Sequence, residues 1–172
     1  LIPNLSPHKY QAQWDITRDM GKWSLQVEYP YESNTANFKI DKRSQIVQVA
    51  NSWLGATAAQ VGGNCNDFVG KVYNHVGLPL TVASTQAQYS SADTACAGDG
   101  CILFYSSINA PPGNVAHDAI EAGTQRININ SNTTPGEPVV SEDITAGVLT
   151  VPVGVPYKTL IEHRSTVDLD KD

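Results

Sequence analysis

Apolar residues recur at helical spacing in two stretches of the chain and at alternate or consecutive positions in several others. In RSQIVQVANSWLG, residues 43–55, Ile46, Val49, Ala50, Trp53 and Leu54 share one face of a 3.6-residue period. Ser44 is the expected cap and Gly55 the expected stop. GATAAQVGGN follows and reads as a loop of small residues. A second helix is expected from Cys65 to Val76, with Phe68, Val69, Val72, Tyr73 and Val76 as its apolar stripe and Gly77 just past its end. STQAQY, residues 84–89, suits a short third helix.

Beyond CAGDGC the period changes. CILFYS (101–106) is a short, almost wholly apolar strand, and INAPPGN (108–114) is a turn by its Pro and Gly content. VAHDAIEA (115–122) and QRININ (125–130) read as two strands of a hairpin about Gly123-Thr124. SNTTPGEP (131–138) is a loop, and VLTVPV and YKTLIEH (157–163) supply later strands. Helices first and strands afterwards predict an α+β fold, with the helices packed on an antiparallel sheet. Residues 1–42 show no sustained period, although KWSLQVEY (22–29) alternates as a strand does. They are read as an extension that packs its aromatics on a core domain of residues 43–172.

Composition narrows the partners. The chain has 172 residues, 41% of them apolar, which suits one domain with a real core. The net charge is −6 and no Lys/Arg cluster occurs, so nucleic acid is not an expected partner. No apolar run is long enough for a membrane helix, so no membrane partner is expected. LIPNLSPHKY has neither the basic start nor the apolar core of a signal peptide, and any export signal is expected upstream. Of three cysteines, Cys96 and Cys101 are spaced to close a small disulfide, which implies an oxidising compartment; three reduced thiols are the alternative. Two thiols without a nearby His pair do not complete a zinc site, so no metal is expected.

Cys65 stands where a helix begins. A helix N-terminus favours a thiolate, and its unpaired N–H groups can hold an oxyanion. Gly62 and Gly63 let a substrate approach the backbone closely. Against this, a free cysteine is among the residues most often simply buried. A nucleophile needs a base. His75 lies ten residues along the same helix, about 15 Å away along its axis, and does not serve. His8 lies in the irregular extension and His163 near the C-terminus; His117 begins a strand just after a turn. The spacing leaves the choice among these open. Arg126, Asn128 and Asn130 share one face of their strand, and a hairpin brings Asn128 near His117 as an orienting group.

These segments together resemble the NlpC-type papain-like cysteine peptidases. The Leu-Gly helix end, the Gly-Gly loop, CNDFVGKVYNHVGLPL, GDGCILFYSS, NVAHDAIEAG and QRINI stand in that family's order over about residues 43–130. The resemblance implies an NlpC fold in which helices pack on a central antiparallel sheet, with the catalytic cysteine at a helix N-terminus. It implies Cys65 as nucleophile, His117 as base and Asn128 as the third group, with Gly63, Asn64 and Asp118 beside the substrate. It implies no cofactor. It also implies hydrolysis of amide bonds in bacterial peptidoglycan stem peptides, of the D-γ-glutamyl-diaminopimelate type, by a secreted or periplasm-targeted protein.

The sequence departs from the family pattern in several places. Asn64 stands before the cysteine instead of Asp, and Asn66-Asp67 replaces Ser-Gly. GATAAQVGG lacks the usual aromatics, and Asp118 and Glu121 take apolar positions. A divergent member is therefore expected. An antibacterial effector with an immunity protein as partner is a close variant. The competing expectations are a thiol acyltransferase of the lecithin:retinol type, whose histidine precedes the cysteine, and a non-catalytic wall-binding module.

Overall fold

The computed structural model describes residues 2–3, 10–11, 22–29, 32–39, 41–107, 111, 113–129, 138–144, 148–149 and 158–171. The chain forms two compact units, Leu1–Lys39 and Ile40–Asp172. In the first, β1 (Ile2–Pro3) pairs with β2 (Tyr10–Gln11), and β3 (Lys22–Tyr29) pairs antiparallel with β4 (Glu32–Lys39). Trp23 is the register partner of Phe38 and Leu25 of Ala36. The strand read in KWSLQVEY is thus one arm of a hairpin.

The second unit opens with α1 (Lys42–Ser52). Its cap is Asp41 rather than Ser44: the Asp41 carboxylate accepts the Ser44 N–H at 2.9 Å and the Ser44 hydroxyl at 2.8 Å. Those two bonds hold the Asp41 carboxyl below its usual range, the backbone bond contributing most. Ile46, Val49 and Ala50 are buried as the periodicity requires. Leu54 is 43% exposed, because the helix ends earlier and the chain turns away to bond Gly55 N–H to the Val139 carbonyl at 2.9 Å. The expected small-residue loop contains one helical turn, α2 (Ala58–Val61), held by the Gln60 amide oxygen on Thr57 N–H at 2.8 Å. Then follow α3 (Cys65–His75) and α4 (Thr85–Ser91), the latter capped by Ser84.

The remaining elements are β5 (Thr94–Ala95), β6 (Ile102–Ser107), β7 (Val115–Ala122), β8 (Gln125–Ile129), β9 (Val139–Asp143), β10 (Val148–Leu149) and β11 (Lys158–Ser165). They form an antiparallel sheet in the order β10-β11-β6-β7-β8-β9, with β5 added on β11. The architecture is therefore helices with an antiparallel sheet, the α+β class the sequence predicts. β9 was not foreseen, since Ser141, Glu142 and Asp143 give its second half a polar reading. His8, residues 131–137 and residues 150–157 lie outside the described residues.

Helices α1, α3 and α4 pack on β7, and α3 also reaches β8. Phe68, Val69, Val72 and Tyr73 of α3 are fully buried, as are Ile120 and Ile127 of the two strands. Full burial of a side chain of this kind contributes about 1.5–3 kcal/mol, so this layer contact is a large stabilising contribution to the unit. β7 is buried on both of its faces.

The CAGDGC loop ties distant parts of the unit together. Cys96 and Cys101 are disulfide-bonded, with Cα atoms 5.8 Å apart, and Cys65 is the free thiol. Arg43 of α1 donates to the carbonyls of Ala97 at 3.0 Å and Asp99 at 2.8 Å, and to the Asp170 carboxylate at 2.8 Å. Replacing both bonded cysteines by serine is expected to lower unfolding free energy by about 2 kcal/mol, the chain-entropy value for so short a loop. Urea denaturation of the double variant beside the wild type measures it, and unchanged stability would contradict it.

Candidate functional site

Cys65 is the first residue of α3, after Asn64 at the cap position. The approach is made by Gly62 and Gly63, both at positive φ, 116° and 127°, where a side chain would be strained. A Cβ on Gly62 would also stand 2.8 Å from Cβ of Asp67. Asp67 turns back to accept the Asn64 N–H at 3.1 Å, closing the first turn. Asn64 and Gly63 thus shape the helix start, at intermediate exposure.

That first turn is held from the side. The Gln88 amide, fully buried on α4, donates to the carbonyls of Asn66 at 2.7 Å and Thr81 at 2.6 Å. The Asn66 amide donates to the Val82 carbonyl at 2.7 Å. The Cys65 thiol lies 3.7 Å from the Thr85 hydroxyl at the head of α4, and its residue is fully buried. The next residue, Gln86, accepts the Val115 N–H at 2.9 Å. The head of α4, which meets the thiol, is in this way pinned to the start of β7, two residues before His117.

The expected hairpin is present, with Ile120 opposite Ile127, Glu121 opposite Arg126 and Ala122 opposite Gln125. It brings His117 Nε2 within 2.8 Å of Asn128 Oδ1, both residues fully buried. An amide oxygen only accepts, so Nε2 carries the proton in this bond and the lone pair of a neutral ring sits on Nδ1. The Asn128 amide nitrogen points the other way, donating to Glu142 Oε2 of β9 at 3.3 Å. The same oxygen accepts from Arg126 Nε at 3.2 Å. Tyr105, the register partner of His117, stands beside it with ring centroids 5.9 Å apart, and the Arg126 guanidinium lies 5.6 Å from the Tyr105 ring centre. Burial pushes the Tyr105 phenol above its usual range, with the nearby guanidinium opposing, so it stays neutral.

The structure thus bonds His117 to Asn128 across the hairpin, as the sequence led one to expect. Phe104, one residue before Tyr105, stands on the other sheet face, where Tyr89 of α4 meets it edge-on at 5.2 Å. α4 therefore lies against the face opposite to the one bearing His117 and Asn128. Asp118 is fully buried on the Phe104 face, its register partner, rather than open to solvent. Of the other histidines, His163 is bonded through Nδ1 to Glu121 at 2.8 Å, and His75 lines an open groove of about 440 Å³ with Gly62, Asp67 and Lys71. That groove runs along α3 and is not lined by Cys65, His117 or Asn128. Among the described residues, no group of three or more His, Cys, Asp or Glu is arranged for a metal ion.

Sequence reasoning missed Glu142 and Gln88. Gln88 carries no signal, since its role depends on where α4 docks. Glu142 had one: it is the opposite charge to Arg126 on a neighbouring strand, visible once the 139–143 strand is granted.

No protein-family profile matches the chain, and no curated protein does. The fold is similar to that of a solved structure from Staphylococcus aureus subsp. aureus Mu50, described as similar to a lipoprotein of the NLP/P60 family. The TM-score is 0.51 at 19% identity, and the match covers 76% of this chain and 44% of that one. The match thus spans less than half of that protein's length, and at this identity it establishes a likeness of fold.

Gln88→Leu keeps the bulk and removes both donors, leaving the Asn66 and Thr81 carbonyls buried without them. It is expected to cost about 1–3 kcal/mol. It should also speed hydrogen exchange in the first turn of α3, read by mass spectrometry; unchanged exchange there would refute the clamp.

Proposed function

We propose that the chain is a divergent cysteine peptidase or amidase that cleaves amide bonds of bacterial peptidoglycan stem peptides, with Cys65 as nucleophile, His117 as base and Asn128 as orienting group. The observation that carries this reading is the buried 2.8 Å bond from His117 Nε2 to Asn128 Oδ1, in a unit whose α3 opens on the one free thiol. The likeness of fold to an NLP/P60 structure supports it. The bond consigns the ring's basic lone pair to Nδ1. That nitrogen takes the thiol proton as the sulfur attacks the carbonyl carbon, then gives it to the leaving amine. The N–H of Cys65 at the helix start holds the oxyanion. Water then attacks the thioester, Nδ1 takes its proton, and the thiol is restored. A secreted or periplasmic setting is in keeping with the Cys96–Cys101 disulfide. D-γ-glutamyl-diaminopimelate is the bond the reading names, and an immunity or inhibitor protein is the partner of its effector variant.

A second reading has its own support. Cys65 is fully buried, which favours a wall-binding module that keeps the fold without the chemistry. The acyltransferase reading needs a histidine upstream of the thiol, and His8, which alone stands there, is outside the described residues.

Purified peptidoglycan of several chemotypes, digested and analysed by mass spectrometry, separates these. The peptidase reading expects cleaved stem peptides from the wild type, none from Cys65→Ala, and turnover lower by about 10²–10⁴-fold in His117→Ala. Binding of the wall without cleavage points to the module, and equal cleavage by wild type and Cys65→Ala would exclude Cys65 as nucleophile.

A further inference from the structure

We infer that Glu142 is a positioning residue that selects the tautomer of His117 by fixing which way the Asn128 amide faces. Asn128 presents two ends. With its oxygen toward His117 it demands a protonated Nε2, and with its nitrogen toward His117 it demands a bare Nε2. The second arrangement moves the ring proton to Nδ1 and removes the lone pair from that nitrogen. A neutral imidazole by itself accommodates either. What meets the other end of the amide fixes which end His117 is offered.

Glu142 meets it. A carboxylate accepts and does not donate, so its Oε2 takes the Asn128 Nδ2–H at 3.3 Å and excludes the flipped amide. The carboxylate is kept in place by Arg126, whose Nε donates to the same oxygen at 3.2 Å. Arg126 is itself buried, and it is the cross-strand register partner of Glu142. The sheet thereby aligns Arg126, Glu142, Asn128 and His117 across β8, β9 and β7 on one face. The orienting group of the proposed site is thus a pair, Asn128 with Glu142 behind it. The catalytic consequence rests on the proposed function, whereas the tautomer does not.

Long-range ¹H–¹⁵N spectra of the His117 ring, taken at a pH where it is neutral, test this in wild type, Glu142→Gln and Glu142→Leu. The wild type is expected to show protonated Nε2 and unprotonated Nδ1. Glu142→Gln keeps an acceptor oxygen for Asn128 and is expected to preserve that pattern. Glu142→Leu is expected to give ring shifts averaged between the tautomers, with the fold verified by circular dichroism. If the leucine variant does not fold, Glu142→Asp, which withdraws the carboxylate by one methylene, carries the same expectation. A leucine or aspartate variant with the wild-type ring pattern would overturn the inference, as would an Nδ1–H ring in the wild type. On any peptidoglycan the wild type cleaves, Glu142→Leu is further expected to lower kcat about tenfold or more at unchanged KM. A wild type that cleaves nothing counts against the proposed function alone, because the ring spectra still decide the role of Glu142.

Discussion

A strand buried on both faces has no solvent to satisfy the polar groups it carries, and β7 is such a strand. Along VAHDAIEA, His117 and Glu121 point to one side and Asp118 to the other, all buried. Each polar side chain therefore has to find its partners inside the protein. His117 finds Asn128 on β8, and Glu121 finds His163 on β11. These bonds depend on register, because a slip of one residue would send every side chain to the wrong face. The polar groups of β7 and β8 thus restrain the same register that the apolar face needs.

The helix layer answers a different demand. α3 begins on two glycines at positive φ, and its first turn is tied by Asp67 from within and by Gln88 from α4. What results is a buried thiol at a tied helix start and a buried imidazole–amide pair on β7 and β8. The head of α4, which meets the thiol, is tied to the beginning of β7, where Gln86 holds Val115.

Much of this was legible in the sequence because it is local. The α3 stripe, the alternation of β7 and β8 and the hairpin at Gly123 rest on periods and turn chemistry confined to a few residues, and so does the face shared by Arg126 and Asn128. Apart from the cap of α1, the misses come from contacts between distant segments. Asp41 outcompetes Ser44 as cap because it stands three residues before the N–H it takes. Leu54 leaves the apolar stripe because Val139 draws Gly55 into a backbone pair. β9 reads as polar because its charge is answered by Arg126 on the neighbouring strand. Which sheet face the helices cover decides how Cys65 meets His117, and no local pattern encodes that.

The most direct test of the central claim is the rate of Cys65 alkylation by iodoacetamide as a function of pH, in wild type and His117→Ala. If His117 draws the proton from Cys65, the wild type reacts well below pH 8, about where a free thiol begins to ionise, and the variant loses that acid limb. A thiol that stays inert across the range, or one that gives the same profile in both proteins, would contradict a nucleophile served by His117.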